Sequence, residues 1–328
     1  MAELIAAPRA AEMLARMAGR RIVVVGDVMI DEWIWGDVSR ISPEAPVPVV
    51  AVREHTFTLG GAGNVAHSLR ALGAQVALVA GVGDDAEGRR LREMLAALDV
   101  DASGVLTVGD RPTTRKTRVV AHNQQVVRAD WEATAPLDER DRARAAEAIR
   151  AAVRRADGVV LSDYAKGFLD RALVEAALAV PVVVADPKPQ NVALFAGVTC
   201  IGPNVAEASR ASGITIADDA SLERAGRALL TMLGCRYVLI TRGEHGMSLF
   251  GAAGERVDVP AVARTVYDVS GAGDTVIAVL ALALAAGIGA ETATQLANFA
   301  GGTVVEKLGT ATAAPHEIVA LMEAARAR

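Results

Sequence analysis

Hydrophobic residues in this chain fall into short runs that alternate with longer amphipathic segments. Arg21–Gly26 is a continuous β-branched run, typical of a strand buried on both faces of a parallel sheet. The same pattern predicts further strands at 76–80, 158–161, 182–185, 198–201 and 237–240, and helices after Asn64 to about 72 and at 137–155, 170–179 and 220–233, followed by two late helices. This alternation predicts an α/β fold with a doubly wound, mostly parallel sheet flanked by helices.

Two segments interrupt the regular order. Residues 33–58 contain Pro43, Pro46 and Pro48, which favours irregular edge strands over core sheet. Residues 113–128 alternate loosely and predict a hairpin that returns to the same region. We interpret both segments as a small β lid inserted into one domain spanning residues 1–328, since no internal repeat, low-complexity tract or linker is visible.

Composition narrows the class of protein. With 328 residues and 52% hydrophobic content the chain can bury a large core, and its net charge of −5 argues against a nucleic-acid binder. Two cysteines, Cys200 and Cys235, are too few for a disulfide framework, which favours a cytoplasmic location. The longest apolar run, Val276–Ile288, is too short to span a membrane. Residues 3–18 predict an amphipathic helix and not a signal peptide.

Polar residues follow the predicted strands in a consistent way. Asp27, Ser162–Gly167, Asp186–Lys188, Pro203–Glu207 and Thr241–Glu244 each come directly after a strand. Sheets of this kind bind ligands beyond the carboxyl ends of their strands. We therefore expect the functional site at this edge.

A glycine-rich turn leads directly into the apolar run 276–288. Gly271, Ala272 and Gly273 have little or no side chain, so their N–H groups are expected to surround an anion at the start of a helix. Asp274 falls in the first turn, where the helix field should lower its pKa and keep it ionised. Such a carboxylate suits proton removal from a hydroxyl that attacks a phosphoryl group. An acidic residue that merely begins a helix is the alternative.

This turn resembles one signature of the ribokinase-like (PfkB) sugar kinases, and Gly60-Gly-Ala-Gly-Asn64 resembles the other. Two matches in the right order are more specific than one glycine-rich loop. The resemblance implies an ATP-dependent kinase in which Asp274 activates a sugar hydroxyl. Val279 departs from the family, which usually has a small residue there, and puts helix packing in doubt rather than chemistry.

On the nucleotide side, the resemblance implies that Asn204 and Glu207 hold Mg²⁺, partly through water, near the phosphates. It places Lys188, Thr241 and Gly243 along the phosphate groove of ATP. Asn298 falls near the adenine pocket on the penultimate helix, with a helix-surface amide as the alternative. A monovalent cation near the anion nest is left open.

On the sugar side, Asp31 can accept hydrogen bonds from neighbouring hydroxyls, and Gly60 and Gly61 allow close backbone approach. Asn64 offers a donor and an acceptor, although it can also serve as the N-cap of its helix. We further place Asp163 among the substrate-binding residues.

Five segments narrow the resemblance to the branch of the family that phosphorylates D-glycero-β-D-manno-heptose 7-phosphate: 40–50, 123–125 with Arg128, 161–167, 267–274 and 307–310. The implied product is the 1,7-bisphosphate, on the route to ADP-heptose and the lipopolysaccharide core. The sugar phosphate would then need basic partners, for which Lys116, Arg118 and Lys166 are the candidates. Solvated surface charges are the alternative.

Two other functions stay open, namely another sugar or nucleoside kinase of the same fold and a non-catalytic ligand-binding relative. An intact Asp274 argues against the second, since a pure binder has no use for a base. The resemblance also implies a homodimer, because lid strands in this family often pair between subunits and the Val47–Val52 edge is apolar.

Overall fold

The computed structural model describes residues 5–122, 124–263, 265–307 and 309–326. Asn123 and Leu308, which belong to two of the segments quoted above, lie outside the described residues, as do residues 3 and 4. The strands are β1 Arg21–Gly26, β2 Val28–Ile41, β3 Pro48–Gly61, β4 Gln75–Val82, β5 Asp101–Thr107, β6 Arg115–Ala121, β7 Gln124–Trp131, β8 Gly158–Ser162, β9 Val183–Asp186, β10 Cys200–Ile201, β11 Tyr237–Thr241, β12 Met247–Gly251 and β13 Arg256–Val259. The α-helices are α1 Ala7–Met17, α2 Ala62–Ala71, α3 Ala86–Ala97, α4 Glu139–Val153, α5 Arg171–Ala177, α6 Val205–Ser212, α7 Asp219–Leu233, α8 Ala272–Ala285, α9 Ala290–Val305 and α10 Pro315–Arg326.

The larger sheet has nine strands in the order β13-β12-β11-β10-β9-β8-β1-β4-β5. The seven strands from β11 to β5 are parallel, and β12 and β13 are antiparallel. Successive residues of β1 enter opposite layers, with Ile22 and Val24 in one hydrophobic cluster and Val23 and Val25 in the other. Burial on both faces explains the unbroken β-branched run. The predicted doubly wound, mostly parallel fold is confirmed.

The smaller sheet has four strands in the order β3-β2-β6-β7 and is called the lid from here on. Its two long strands, β2 and β3, have 14 residues each and pair antiparallel from Val28↔Gly61 to Ile41↔Pro48. The prediction of strands outside the core sheet is confirmed, with β3 at the edge of the lid and two register shifts in the β2–β3 pairing, but β2 lies inside the lid sheet and the pairing is longer than the prolines suggested. Pro48 is the first residue of β3, a strand position that proline tolerates, and Pro43 and Pro46 lie in the connection.

The second lid segment forms the predicted hairpin. Strands β6 and β7 pair antiparallel, and β6 joins β2 in parallel.

Strands β5, β12 and β13 and helix α6 were not predicted, and three late helices replace the expected two. No helix within the described residues is both long and apolar enough to traverse a bilayer.

Candidate active site

The carboxyl ends of neighbouring strands bring together residues that lie far apart in sequence. Asp186, Asn204, Glu207, Thr241 and Asp274 line one cavity of about 150 Å³, together with Tyr164, Lys188, Gly202, Gly271 and Gly273. Four of the five predicted post-strand clusters contribute to it. The fifth supplies Asp27, which accepts backbone N–H groups of the loop after β8 and is not among the lining residues in the described part of the chain.

Asp274 lies at the start of α8, as predicted. Helix α8 begins after Gly271, whose φ of 77° is in the left-handed region, and the Asp274 side chain is buried. Asn64 Nδ2 donates to Oδ2 of Asp274 at 2.8 Å, and the Tyr164 hydroxyl donates to Oδ1 at 2.8 Å. Two neutral donors from different parts of the fold therefore orient this carboxylate.

The expected lowering of the Asp274 pKa was wrong. Burial raises the pKa of Asp274 to about 6, against the opposing effects of the Asn64 and Tyr164 hydrogen bonds and of the Lys188 charge. Asp31 raises it further. Desolvation of a fully enclosed carboxylate thus outweighs the field of the helix start. The group is still mostly ionised at neutral pH.

Asn64 lies inside the first turn of α2 and is not its N-cap, which is Gly61. Its Nδ2 contacts Asp274, while its Oδ1 is buried and has no hydrogen-bond partner among the described residues. A buried unpaired acceptor beside Asp274 is costly unless something donates to it. A substrate hydroxyl would satisfy it.

The anion nest differs from the expected one at Ala272. Ala272 N donates to the Val269 carbonyl at 3.3 Å, so this N–H is turned away from an incoming anion. Gly273 and Asp274 occupy the first turn, where backbone N–H groups lack partners within the helix. Because Gly271 also lines the cavity with them, the N–H groups of these three residues are the available donors.

Two glycines are fixed by close contacts in the site. A Cβ atom at Gly271 would lie 2.6 Å from Asn64 Nδ2. A Cβ atom at Gly60 would lie 2.3 Å from Asp31 Oδ2. Only glycine therefore allows Asn64 and Asp31 to occupy their observed places.

A second cavity, of about 220 Å³, lies between the lid and the start of α8. It is lined by Met29, Asp31, Trp33, Gly60, Gly61, Lys116, Arg118, Arg128, Tyr164, Ser270, Gly271, Asp274 and Thr310. Asp274 and Gly271 line both cavities. The carboxylate therefore faces both the groove and the cavity under the lid, the arrangement that transfer between two substrates requires.

Strand register explains why the lid presents charge to this cavity. Asp31 pairs with Lys116 and Trp33 with Arg118 between β2 and β6, and Arg118 pairs with Arg128 between β6 and β7. Because side chains alternate along a strand, these residues share one face. Arg118 also forms an ion pair with Asp31 and lies over the Trp33 ring.

Two residues that were predicted to bind the substrate are not among the described residues that line the cavity under the lid. Asp163 does not line the cavity among the described residues, and its carboxylate accepts from Ala165 N, Lys188 N and the Asn191 amide. Asp163 thus holds the loops after β8 and β9 together, and its role in substrate binding stays a prediction. Lys166 is also absent from the lining, and its ammonium contacts Glu132 at 2.7 Å.

The nucleotide-side residues form a charged cluster. Lys188 Nζ contacts Glu207 Oε1 at 2.7 Å, and Asn204 and Glu207 cap α6 through reciprocal hydrogen bonds. Burial raises the pKa of Asp186 to about 8, opposed by Lys188 and reinforced by Asp274 and Glu207. Among the described residues, the carboxylates of this cluster therefore outnumber its one cation, Lys188.

These residues fit a hydrated Mg²⁺ better than a directly ligated one. Within the described residues no group of three or more acidic, histidine or cysteine side chains is placed to hold a metal. Asn204 Oδ1 and Glu207 Oε2 are both engaged in the helix cap. Since Mg²⁺ keeps several of its waters, Glu207 can hold it through them.

Asn298 and Gly243 lie further from the chemistry. Asn298 is buried and donates to the Pro260 carbonyl at 2.8 Å, so the alternative of a helix-surface amide was wrong. Gly243 begins a short turn after β11 with φ of 57° and has open space around its Cα. Of the residues after β11, Thr241 lines the groove.

Sequence reasoning missed Tyr164, Arg128 and Thr310 as lining residues. Tyr164 belongs to the same post-strand cluster as Asp163 and was available to the same argument. Arg128 is opposite Arg118 in the predicted hairpin, a pairing that would have identified it. Thr310 has a buried Oγ1 with no partner in the described part of the chain, which only the structure reveals.

A larger cavity, of about 830 Å³, lies elsewhere, between α4 and the amino ends of β1, β4 and β5. Sheets of this type bind ligands at the opposite edge. Cavity volume alone therefore does not identify the functional site of this protein.

Comparison with known proteins identifies the family. The family model described as pfkB family carbohydrate kinase matches residues 20–317. The chain belongs to this family. The resemblance of its two glycine-rich segments to the pfkB signatures is therefore confirmed.

Several members of the pfkB family have sequences similar to this chain over most of its length. The chain is 48% identical over 315 residues to the bifunctional protein HldE of Desulfatibacillum aliphaticivorans, covering 92% of this chain and 63% of that protein. It is 46% identical over 306 residues to the HldE of Geobacter metallireducens, covering 92% and 62%. The chain thus spans less than two thirds of the length of these relatives.

Solved structures support the ribokinase-like fold. Ribokinase from Arabidopsis thaliana, complexed with ribose and ATP, matches with a TM-score of 0.74 at 21% identity, covering 93% of this chain and 99% of that one. Phosphofructokinase-2 from Escherichia coli, in complex with potassium, matches with a TM-score of 0.78 at 18% identity, covering 94% and 99%. At these identities the likeness concerns the fold.

Proposed function

We propose that this pfkB family member transfers the γ-phosphate of ATP to the anomeric hydroxyl of D-glycero-β-D-manno-heptose 7-phosphate. The product is the 1,7-bisphosphate, which serves ADP-heptose and lipopolysaccharide core biosynthesis. Identities of 42–48% to bifunctional HldE proteins support this acceptor. The observation that carries the proposal is the cavity under the lid, which joins Asp274 to three basic side chains, Lys116, Arg118 and Arg128.

Asp274 is the base in this reaction. The anomeric hydroxyl approaches it from the lid cavity and donates a proton to the carboxylate as its oxygen bonds to the γ-phosphorus. The bond from that phosphorus to the bridging oxygen breaks, and ADP leaves. Asn64 and Tyr164 keep the carboxylate aimed at the hydroxyl, and the free N–H groups at the start of α8 stabilise charge on the transferring group.

The groove beside Asp274 holds the ATP phosphates. Lys188, Thr241 and the start of α8 line it. Mg²⁺, held through water by Glu207 with Asn204 and Asp186 nearby, would neutralise phosphate charge in this groove. A monovalent cation near the start of α8 is also part of the hypothesis, and the dependence of the rate on K⁺ tests it.

The basic side chains under the lid favour an acceptor that already carries a phosphate. Such an acceptor brings about two negative charges at neutral pH. Lys116, Arg118 and Arg128 lie on the lid face of the cavity, away from Lys188 on the nucleotide side. A kinase for a neutral sugar would not need this second group of cations.

A substrate panel with purified protein and ATP tests the proposal. Heptose 7-phosphate should be used with a far higher kcat/KM than unphosphorylated heptose, with ribose and fructose 6-phosphate as further acceptors. Phosphorus NMR of the product should show a second phosphate at the anomeric carbon. Equal use of both heptoses would contradict the proposal and indicate a kinase for a neutral sugar.

We also propose a single kinase domain, a cytoplasmic location and a homodimer that forms through the lid. The outer strand β3 has one neighbour within the described residues, and its exposed side chains include Val52. An apolar unpaired edge is a surface that a second copy can cover.

A further inference from the structure

A chain of ion pairs links the lid to the body of the protein beside the acceptor cavity. Lys116 Nζ on β6 contacts Asp130 Oδ2 at 2.9 Å and Glu132 Oε2 at 3.4 Å. Lys166 Nζ, in the loop after β8, contacts the same Glu132 oxygen at 2.7 Å. Glu132 therefore lies between a lysine that lines the cavity and one that does not.

The backbone on both sides of Glu132 and Lys166 is held in place. Asp27 accepts the Lys166 N–H at 3.0 Å, and the Arg111 guanidinium donates to the carbonyls of both Lys166 and Ala133. The loop after β8 and the segment after β7 are thus joined by one arginine. With both backbones fixed, the two side chains meet in a defined geometry.

The charges of the cluster suggest different tasks for the two lysines. Lys166, and after it Lys116, hold the pKa of Glu132 below its usual value, although partial burial opposes them. Lys166 makes the shorter contact with Glu132, and Arg128 pairs with Asp130 at 3.0 Å, so the three cations of the cluster exceed its two carboxylates by one charge. Lys116 then keeps positive charge for a ligand in the cavity, while Glu132 and Asp130 fix the position of its ammonium.

We propose that Glu132 is a positioning residue for Lys116, and that Lys166 is the counter-ion of Glu132 and does not contact the acceptor phosphate. This inference rests on the proposed use of a phosphorylated acceptor. It assigns phosphate recognition to Lys116, Arg118 and Arg128, and it gives Lys166 an indirect role through the lid.

Steady-state kinetics of Glu132→Gln, Lys166→Met and the double variant test the proposal. Each single variant should raise KM for heptose 7-phosphate about tenfold, the scale expected for a lost charge-assisted hydrogen bond. The increase should exceed any change in KM for unphosphorylated heptose or in kcat. Because both substitutions break the same pair, the double variant should resemble each single variant.

Two further variants serve as controls. Lys166→Arg keeps the counter-ion and should retain most of the affinity for the phosphorylated acceptor. Glu147→Gln removes an exposed carboxylate on the outer helix α4 and should leave all constants unchanged. Thermal unfolding of each variant shows whether the fold is intact.

Four results would overturn the inference. A lower KM in Glu132→Gln would make Glu132 a competitor of the phosphate. A loss in Lys166→Met well beyond that in Glu132→Gln, with additive effects, would make Lys166 a direct phosphate ligand. Equal losses with both heptoses would indicate a purely structural pair. Lack of preference for the phosphorylated sugar in the unmutated protein would instead refute the proposed function, and the inference with it.

Discussion

Asp274 lies where two effects on a carboxylate oppose each other. The start of α8 favours its negative charge, and complete burial disfavours it. Burial is the stronger effect, and the pKa rises to about 6. A base with a pKa near the working pH is well suited to accept a proton and release it again.

Replacing Asp274 with asparagine tests its role as the base. The amide keeps the shape of the side chain but cannot accept the proton, so kcat should fall by at least roughly a hundredfold, the usual scale for a general base. ATP should still bind, which isothermal titration calorimetry can measure. Turnover close to that of the unmutated protein would remove Asp274 from this role.

The pH profile offers a check on the same residue without mutation. Since the base must be ionised and burial raises its pKa to about 6, kcat/KM should be constant above neutral pH and fall as the pH drops through that value. A fall only near pH 4, the ordinary range of an aspartate, would show that burial does not control this group.

At the scale of single elements, the start of α8 depends on Gly271. Its φ of 77° disfavours any residue with a Cβ atom, and that atom would lie 2.6 Å from Asn64 Nδ2. Gly271→Ala should therefore displace Asn64 from Asp274, lower kcat and destabilise the fold by about 1–2 kcal/mol, the cost of a left-handed conformation.

Gly289→Ala is the matched control for this substitution. Gly289 precedes α9, has an extended conformation, and has no heavy atom within 4 Å of an added Cβ. Kinetics should therefore be unchanged for Gly289→Ala, and chemical denaturation should show only the loss of about 1 kcal/mol expected for alanine at a helix N-cap. Similar behaviour of both variants would show that the Gly271 contact is unimportant.

The helices and strands of the main sheet were largely predictable because the burial of each element determines its own pattern of apolar residues. Strand β1 has the predicted bounds, since burial on both faces requires an unbroken apolar run. The long β2–β3 pairing was not anticipated because the prolines of this segment suggested only irregular strands. The relevant fact, that Pro48 begins a strand, depends on pairing with Ile41, which is not visible locally.

The site was predictable where its residues occur in short motifs. Gly271 and Asp274 fall at the start of α8 as expected. The Asp274 pKa, the engagement of Asp163 and the pairing of Lys166 with Glu132 depend on residues brought together by folding. Such contacts leave no local pattern in the sequence. The sequence therefore indicated which residues form the site, but not their pKa values or ion pairs.

At the scale of the whole molecule, the lid has two different faces and an open edge. One face carries the charged residues over the acceptor cavity. Elsewhere the lid exposes large apolar side chains, among them Val52 on β3 at 60% and Val127 on β7 at 52%. Exposed apolar residues concentrated in one small sheet indicate an interaction surface.

If a second copy covers this surface, charge introduced on it should separate the subunits. We expect the unmutated protein to be a dimer by light scattering at micromolar concentration. Val52→Glu should shift it to the monomer, because the carboxylate would be desolvated in the interface.

Met232→Glu is the control, since Met232 is exposed on α7, outside the lid, and its replacement should leave the dimer intact. A monomeric unmutated protein, or equal dissociation of both variants, would contradict assembly through the lid. Because the lid also carries Lys116 and Arg118, the monomeric variant should lose affinity for the phosphorylated acceptor if the dimer holds this sheet in place.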